Sequence, residues 1–470
     1  MKYKLRLSID DYETLHNHLL GNSGKEAVAV GLCGRCGFEN EKIMVLQKVV
    51  IIPYNECDCY EDFISWKTTR MIPLLQEAAQ YDYAILKIHS HPGGGRFFSE
   101  QDDRSDYDLF DSIIGGWCES EEPHLSAIML PDGEIYGRVF LPDLKCANLD
   151  NIMVIGDDIR FFYHEEADFM DEYSTRTRQT FGEETYAKLK RLKVGVVGCS
   201  GTGSVTIEQL MRYAIEEFVL VDPDIIEEKN LNRLIGSRNS DDCLGQAKVE
   251  FYKRLIMDTN LGSKVRTFQT NICTSIETLQ CLSTCDIILG CMDSASGRNI
   301  LNRLCTFCLI PYFDMGVSII ADGYGGIEKV TTAVHYIQPG KSSLFSRKAY
   351  NMEQVRAEIL ALTEPDVYET QKREGYVQNA SVERPAVISI NSCASSMAVI
   401  EVLSRIHPFK NEPPNKFAKI VYDISEGNII TFWETDFPID DRLLKYKGKG
   451  MRVPYLDLPN LIYNYLTICK

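Results

Sequence analysis

The chain has 470 residues and a net charge of -17. It is too long for one compact core, and too acidic for nonspecific binding to nucleic acid or to an anionic membrane surface. The N-terminus MKYKLRLSIDDYE lacks the apolar core of a secretory signal, and no apolar run reaches the ~18 residues of a membrane span, so a cytoplasmic protein is expected.

In chain order, LSIDDYETLHNHLLG reads as a helix ending at Gly21. EAVAVGLCG and EKIMVLQKVVIIPY read as a strand pair turning at Asn40. TTRMIPLLQEAAQYD has helical spacing, YAILKIHSH reads as a strand, and SEQDDRSDYDLFDSII opens a further helix. LSAIMLPDGEIYGRVF is a hairpin whose turn is Pro131-Asp132-Gly133. These elements predict an α+β domain over residues 1–142, and the carboxylate-rich span 143–171 reads as a connector. From 172 to 470 the rhythm is βαβ: helix EETYAKLKRL, strand KVGVVG, a glycine turn, helix SVTIEQLMRYAI and strand EFVLVDPD. That rhythm predicts a mainly parallel sheet, which the late segments KIVYDI and NIITFWET are placed to extend.

The densest chemistry lies in HSHPGGGRFFSEQD. Residues two apart in a strand share a face, so His89 and His91 present two imidazoles side by side. Pro92 and the glycines then turn the chain, and Asp102, near the next helix start, is placed as a third ligand. Three protein ligands plus water is the layout of a catalytic zinc site, at which bound water becomes a hydroxide source near neutrality. Ser99 is positioned to donate to an oxyanion. The proton shuttle must come from elsewhere; Glu26 is the candidate, with Glu39, Glu41 and Glu56 as alternatives. The plainer reading is a polar loop carrying two structural histidines.

This constellation resembles the JAMM motif of the MPN/JAB metallopeptidases: His-Ser-His-Pro, then Ser-x-x-Asp, with an upstream Glu. The resemblance covers about residues 1–142. It implies that His89, His91 and Asp102 hold zinc, that Glu26 is general base and then acid, and that Ser99 steadies the tetrahedral intermediate. It also implies cleavage of peptide or isopeptide bonds after the C-terminal glycine of a ubiquitin-like protein.

In KVGVVGCSGTGSVTIEQL, Gly198, Gly201 and Gly203 stand between a strand and a helix, where backbone N–H groups and the helix terminus favour phosphate. Asp222 ends the next strand and is placed for a ribose hydroxyl. The spacing Gly-x-x-Gly-x-Gly is not that of a dinucleotide fold. Asn230, Arg233, Lys248 and Asp293 supply the amide, cations and carboxylate that suit a triphosphate with magnesium. Arg298 reads equally well as a solvated helix charge.

Together RTRQTFG, GCSGTGS, LVDPD, NLNR, GQAK, CMDSASGRN and the helix PAVISINSCASSMAVIEVL resemble the ThiF/MoeB family, the adenylating Rossmann-like fold shared with ubiquitin-activating enzymes. The resemblance implies ATP and Mg2+ as cofactors. In it Gly198, Gly201 and Gly203 cradle phosphates, Asp222 binds ribose, Asn230, Arg233 and Lys248 hold the phosphates, and Asp293 positions magnesium. Arg178 matches an arginine that reaches a partner subunit's phosphates, which implies a homodimer.

Two departures stand out. The segment after Gly340, KSSLFSRKAY, lacks the cysteines with which many members bind structural zinc. No cysteine lies between residues 309 and 392, where thioester-forming members place theirs; Cys393 and Cys199 are weak substitutes. Of the sixteen cysteines, Cys33/Cys36, Cys305/Cys308 and Cys57/Cys59 are closely spaced, but not as a compact zinc ribbon or finger, and read as core or turn residues.

The combined expectation is a bifunctional enzyme of a bacterial ubiquitin-like pathway. One half cuts at a modifier's C-terminus, and the other adenylates that terminus for a conjugating enzyme or another acceptor. The resemblance places such fusions in bacterial operons that also encode ubiquitin-like proteins and conjugating enzymes, some of them linked to phage defence. Activation of a sulfur carrier for cofactor biosynthesis and adenylation of a short peptide are the alternatives.

Overall fold

The computed structural model describes residues 1–458 apart from 22–23, 60–63, 119, 168, 325 and 374–386. The chain divides into two compact units. The first comprises Met1–Ala167 with Phe307–Leu309 and Tyr446–Arg452, and the second comprises the remainder.

In the first unit the elements are β1 Lys2–Ser8, α1 Ile9–Leu19, β2 Val28–Phe38, β3 Glu41–Ile51, β4 Cys57–Cys59, β5 Ile64–Trp66, α2 Ile72–Tyr81, β6 Ala84–Ser90, α3 Glu100–Gly116, β7 His124–Met129, β8 Ile135–Phe140, β9 Cys146–Asn148, β10 Asn151–Ile155 and β11 Ile159–Tyr163. Nine of these strands form one mixed sheet in the order β11-β10-β1-β3-β2-β6-β7-β8-β9. One face buries Leu5, Leu7, Leu86 and Ile88 against Tyr12 and Leu15 of α1. Val30, Leu32 and Ile85 pack with Leu74 and Leu75 of α2 and Phe110 of α3.

Two differences from the sequence reading concern strands. Lys2–Ser8 forms β1, ahead of the expected first helix, and pairs in parallel with both β3 and β10. The span read as a connector, 143–171, contains β9, β10 and β11, which pair into the first sheet. Its described carboxylates fall outside the strands, while the short apolar run Ile152–Ile155 is buried beside β1. The β2–β3 turn lies at Glu39 and Asn40, and the β7–β8 turn contains Gly133, both as expected.

The second unit carries α4 Thr175–Phe181, α5 Glu183–Lys190, β12 Lys193–Val197, α6 Gly201–Met211, β13 Glu217–Val221, α7 Lys248–Asp258, β14 Lys264–Phe268, α8 Ile276–Ser283, β15 Ile287–Gly290, α9 Ala295–Cys308, β16 Tyr312–Ala321, β17 Ile327–Ile337, α10 Met352–Thr363, α11 Pro365–Arg373, α12 Ile388–Ile406, β18 Lys419–Asp423, β19 Asn428–Phe432 and α13 Asp441–Leu444. Its eight strands run β14-β13-β12-β15-β16-β17-β18-β19. The first five are parallel, and β17, β18 and β19 add antiparallel strands, so the late segments do extend this sheet. Strand order reverses at β12, whose neighbours are β13 and β15. Open α/β sheets form their ligand crevice at the carboxyl ends of strands around such a point.

Among the described residues no helix is long and apolar enough to cross a membrane.

Candidate metal centre and nucleotide loop

Strand pairing builds the first site. β2 and β6 are antiparallel, with Val28 opposite His89, and Ser90 N–H donates to Ala27 O at 3.0 Å. Continuing that register sets Glu26 opposite His91. Glu26, His89 and His91 form a group whose ligand atoms lie within 4.8 Å of one another. Asp102 enters from the first turn of α3, with Oδ1 2.9 Å from His89 Nε2 and Oδ2 3.4 Å from His91 Nε2. The two Nε2 atoms are 3.0 Å apart.

These contacts fit a cation better than they fit one another. His91 Nδ1 lies 2.9 Å from Gly95 O. A carbonyl only accepts, so Nδ1 carries the proton and the Nε2 lone pair points inward, as a metal-ligating histidine is set by its outer hydrogen bond. Burial pushes the His89 imidazole below its ordinary pKa. Burial also lowers His91, but Asp102, Gly95 O and Glu26 outweigh it and leave His91 raised. For Asp102, burial is overcome by both imidazoles and Ser99, so its carboxyl stays ionised far below the usual range. Two imidazole nitrogens and an ionised carboxylate at hydrogen-bond separations are a zinc-type donor set.

Ser99 is the N-cap of α3. Its hydroxyl donates to Asp102 Oδ2 at 2.7 Å and accepts from Asp102 N–H at 3.1 Å, while Ser99 N–H donates to Asp102 Oδ2 at 2.9 Å. In this arrangement the hydroxyl orients the ligand carboxylate, and donating to an oxyanion requires it to turn away. Of the alternative glutamates, Glu41 pairs with Lys4 at 3.4 Å, Glu56 pairs with Arg70, and Glu39 sits in the β2–β3 turn. Only Glu26 joins the histidine group among the described residues.

Sequence reading missed the layer behind the site. Lys87, on the same face of β6 as His89, holds Asp106 at 2.5 Å, and Arg138 holds the other Asp106 oxygen at 2.8 Å. Asp106 is one helical turn beyond Asp102 and fully buried. The signal was present in Lys87-x-His89 at period 2 and Asp102-x-x-x-Asp106 at helical spacing.

The glycine turn follows β12 at the switch point. Gly198 has φ +93°, and a Cβ there would lie 2.7 Å from Cys291 O. At Gly203 a Cβ would lie 1.8 Å from Gly198 O. The chain's own backbone therefore requires both glycines. A Cβ at Gly201 would meet the Asn391 amide of α12 at 2.2 Å and Arg233 Cδ at 3.3 Å. Arg233 thus lies against the loop, with Nη1 donating to Lys229 O at 2.8 Å.

Asp222 accepts from Cys199 N–H at 2.6 Å and Asp224 N–H at 2.9 Å. Burial raises its pKa, opposed chiefly by Lys248. Lys248 opens α7, with Nζ 2.7 Å from Asp224 and 3.7 Å from Asp222. Asn230 is buried and accepts from Glu227 N–H at 3.0 Å. Asp293 lies beyond the end of β15 on the rim of a cavity. Gly198, Gly201, Gly203, Asp222, Asn230, Arg233, Lys248 and Asp293 thus all follow the carboxyl ends of β12, β13 or β15, or the loop between β13 and α7.

Arg178 is engaged within its own chain: Nε donates to Ser174 Oγ at 2.8 Å, and Nη1 lies 3.6 Å from Glu183. Arg298 is a buried partner of Asp314 at 3.0 Å, not a solvated charge. Cys393 is half-buried on α12. Cys199 is fully buried, which pushes its thiol well above the ordinary range and makes it a poor nucleophile. Cys33, Cys36, Cys305 and Cys308 are core residues.

The fold and these two constellations define a JAB-like unit followed by an adenylation-type α/β unit. Residues 10–135 match the family of prokaryotic homologs of the JAB domain, and residues 173–434 match the ThiF family. The second match spans more than half of the chain, which belongs to the ThiF family. The chain is 31% identical over 172 residues to ubiquitin-like modifier-activating enzyme 5 of Drosophila willistoni, covering 34% of this chain and 40% of that protein. It is 29% identical over 173 residues to the enzyme of the same name from Culex quinquefasciatus, covering 34% and 41%. The chain thus spans about 40% of the length of the curated relatives it matches. Among solved structures, Escherichia coli MccB with ATP superposes with a TM-score of 0.40 at 21% identity, covering 56% of this chain and 71% of that one. PaaA superposes with a TM-score of 0.41 at 17% identity, covering 58% and 78%.

Proposed function

We propose that the chain is a bifunctional enzyme acting on the flexible C-terminus of a ubiquitin-like protein. The first unit is a zinc-dependent peptidase or isopeptidase, and the second adenylates the terminal carboxylate with ATP and Mg2+. The observation that carries the reading is the grouping of Glu26 with His89 and His91, with Asp102 against both imidazoles, in a chain whose other unit belongs to the ThiF family.

Zinc held by His89, His91 and Asp102 would supply a water of lowered pKa and polarise the scissile carbonyl. Glu26, across the strand pair from His91, would accept a proton from the attacking water and return it to the leaving amine. Ser99 orients Asp102 and, on turning, donates to the developing oxyanion. Gly95 O holds His91 in the ligating tautomer.

In the second unit, backbone N–H groups of the glycine turn and the N-terminus of α6 face the phosphates. Arg233, Asn230 and Lys248 bind phosphate oxygens, Asp222 binds ribose, and Asp293 positions magnesium. The substrate carboxylate attacks the α-phosphate, and pyrophosphate leaves. Arg178 completes a partner subunit's site once its bond to Ser174 is exchanged for phosphate.

The test uses the purified chain with a glycine-ended ubiquitin-like protein carrying a C-terminal fluorogenic amide, and with the same protein free at its C-terminus. His89→Ala is expected to abolish amide cleavage and keep ATP–pyrophosphate exchange, and Asp293→Ala is expected to do the reverse. Cleavage by the His89→Ala protein would overturn the zinc assignment. Exchange at the wild-type rate in Asp293→Ala would overturn the assignment of Asp293.

A further inference from the structure

The segment from Pro92 to Phe98 joins His91 to Ser99 without helix or strand. A Cβ at Gly93 or Gly94 would meet only open space, so packing does not confine that half of the loop. Glycines in open space leave the backbone its full freedom. Yet Gly95 O sits 2.9 Å from His91 Nδ1 and sets the tautomer of that imidazole. What fixes Gly95 must lie in the residues after it.

Arg96 and Phe98 turn toward the sheet, while Phe97 between them is 65% exposed. Arg96 Nη2 donates to Tyr163 O of β11 and lies 3.0 Å from Glu134 Oε1 in the β7–β8 turn. The Arg96 guanidinium carbon is 5.6 Å from the ring centre of Tyr136 on β8. The Phe98 ring centre is 5.9 Å from that of Tyr136, and the Arg138 guanidinium carbon is 3.7 Å from the Phe98 ring centre. Tyr136 and Arg138 are two apart on β8 and share a face. The four side chains form a ladder, Arg96–Tyr136–Phe98–Arg138, made of two cation–ring contacts and one ring–ring contact.

The ladder ends on a rigid support. Arg138 also holds the buried Asp106 at 2.8 Å, one helical turn beyond Asp102. The loop that carries Gly95 and the helix that carries Asp102 therefore rest on the same arginine. The exposed pair Arg96–Glu134 would be worth little alone; its weight here is in closing the outer end of the ladder.

We propose that Arg96 and Phe98 are positioning residues for the metal centre. They hold Gly95 O against His91, and zinc affinity depends on them although neither is a ligand. The proposal rests on the zinc reading above.

The full chain, stripped of metal, is titrated with zinc in competition with a chromophoric chelator. Wild type, His89→Ala, Arg96→Met, Phe98→Ala and Phe98→Tyr are compared, and the visible band of each is recorded after loading with cobalt(II). Wild type is expected to hold one zinc that His89→Ala loses. Arg96→Met and Phe98→Ala are each expected to weaken zinc about tenfold or more and to alter the cobalt band. Phe98→Tyr, which keeps the ring, is expected to restore both. The Arg96 side chain is 34% exposed, so Arg96→Met tests the ladder should Phe98→Ala not fold. Wild-type affinity in Arg96→Met or in Phe98→Ala would overturn that residue's role and leave the zinc site standing. Equal weakening in Phe98→Ala and Phe98→Tyr would overturn the part given to the ring. A wild-type chain with no His89-dependent zinc would overturn the zinc reading itself, and this proposal with it.

Discussion

At the residue scale, His124 shows how a buried side chain sets acid sensitivity. Its Nδ1 accepts from Ile85 N–H at 3.0 Å, and burial, aided by Arg35, drives its pKa down to about 3. Between the ordinary value of about 6.5 and that lowered value, the unfolded chain takes a proton that the folded chain refuses. Stability contributed by neutral His124 is therefore complete above about pH 6.5 and falls by about 1.4 kcal/mol per pH unit below it. Urea unfolding of the N-terminal unit at pH 7 and pH 5 is expected to show this loss, and His124→Gln is expected to reduce it. An unchanged pH slope in His124→Gln would show that other groups carry the acid response. Glu26 makes a different point at this scale. Four glutamates were compatible with the shuttle from sequence, and strand register brings one of them, Glu26, beside the histidines.

Elements, more than single residues, hold the histidine–aspartate cluster in place. α3 brings Asp102 to β6 through a capping box at Ser99 and a buried ion triad of Lys87, Asp106 and Arg138. Burial raises the Asp106 carboxyl, but Lys87 and Arg138 outweigh that and keep it below its ordinary value. Lys87→Met leaves Asp106 to Arg138 alone and takes the charged donor from one fully buried oxygen, so it is expected to cost about 1–3 kcal/mol of stability. Denaturant titration measures that cost, and a loss below about 1 kcal/mol, as for a solvated pair, would show that the triad does not anchor α3. The β12–α6 turn is an equally tight junction. Because a Cβ at Gly203 would sit 1.8 Å from Gly198 O, Gly203→Ala is expected to displace the turn. The check is nucleotide binding by isothermal titration, and wild-type ATP affinity would sink the idea that the turn's shape forms the phosphate site.

For the whole molecule, each of the two sites is built from residues of its own unit, and the proposed activities are therefore expected to be separable by chemistry as well as by mutation. A zinc-selective chelator such as 1,10-phenanthroline is expected to stop cleavage and leave magnesium-dependent exchange intact. Loss of both on chelation, restored by zinc alone, would show that the adenylation unit also needs the metal. Cys199 is buried behind the loop, and Cys291 is pushed to about 12 by burial.

The sequence by itself determined the two family signatures and most of the element order. Period-2 spacing put two imidazoles on one strand face, and a strand–glycine–helix junction announced the nucleotide loop, because both are local patterns. Tertiary structure alone decided which glutamate joins the histidines and that 146–163 belong to the first sheet. It also placed the Lys87–Asp106–Arg138 triad behind the histidine–aspartate cluster and set Phe98 of the loop against Arg138. Each of these depends on pairing between segments distant in the chain, where register and burial are set by partners that no local window contains.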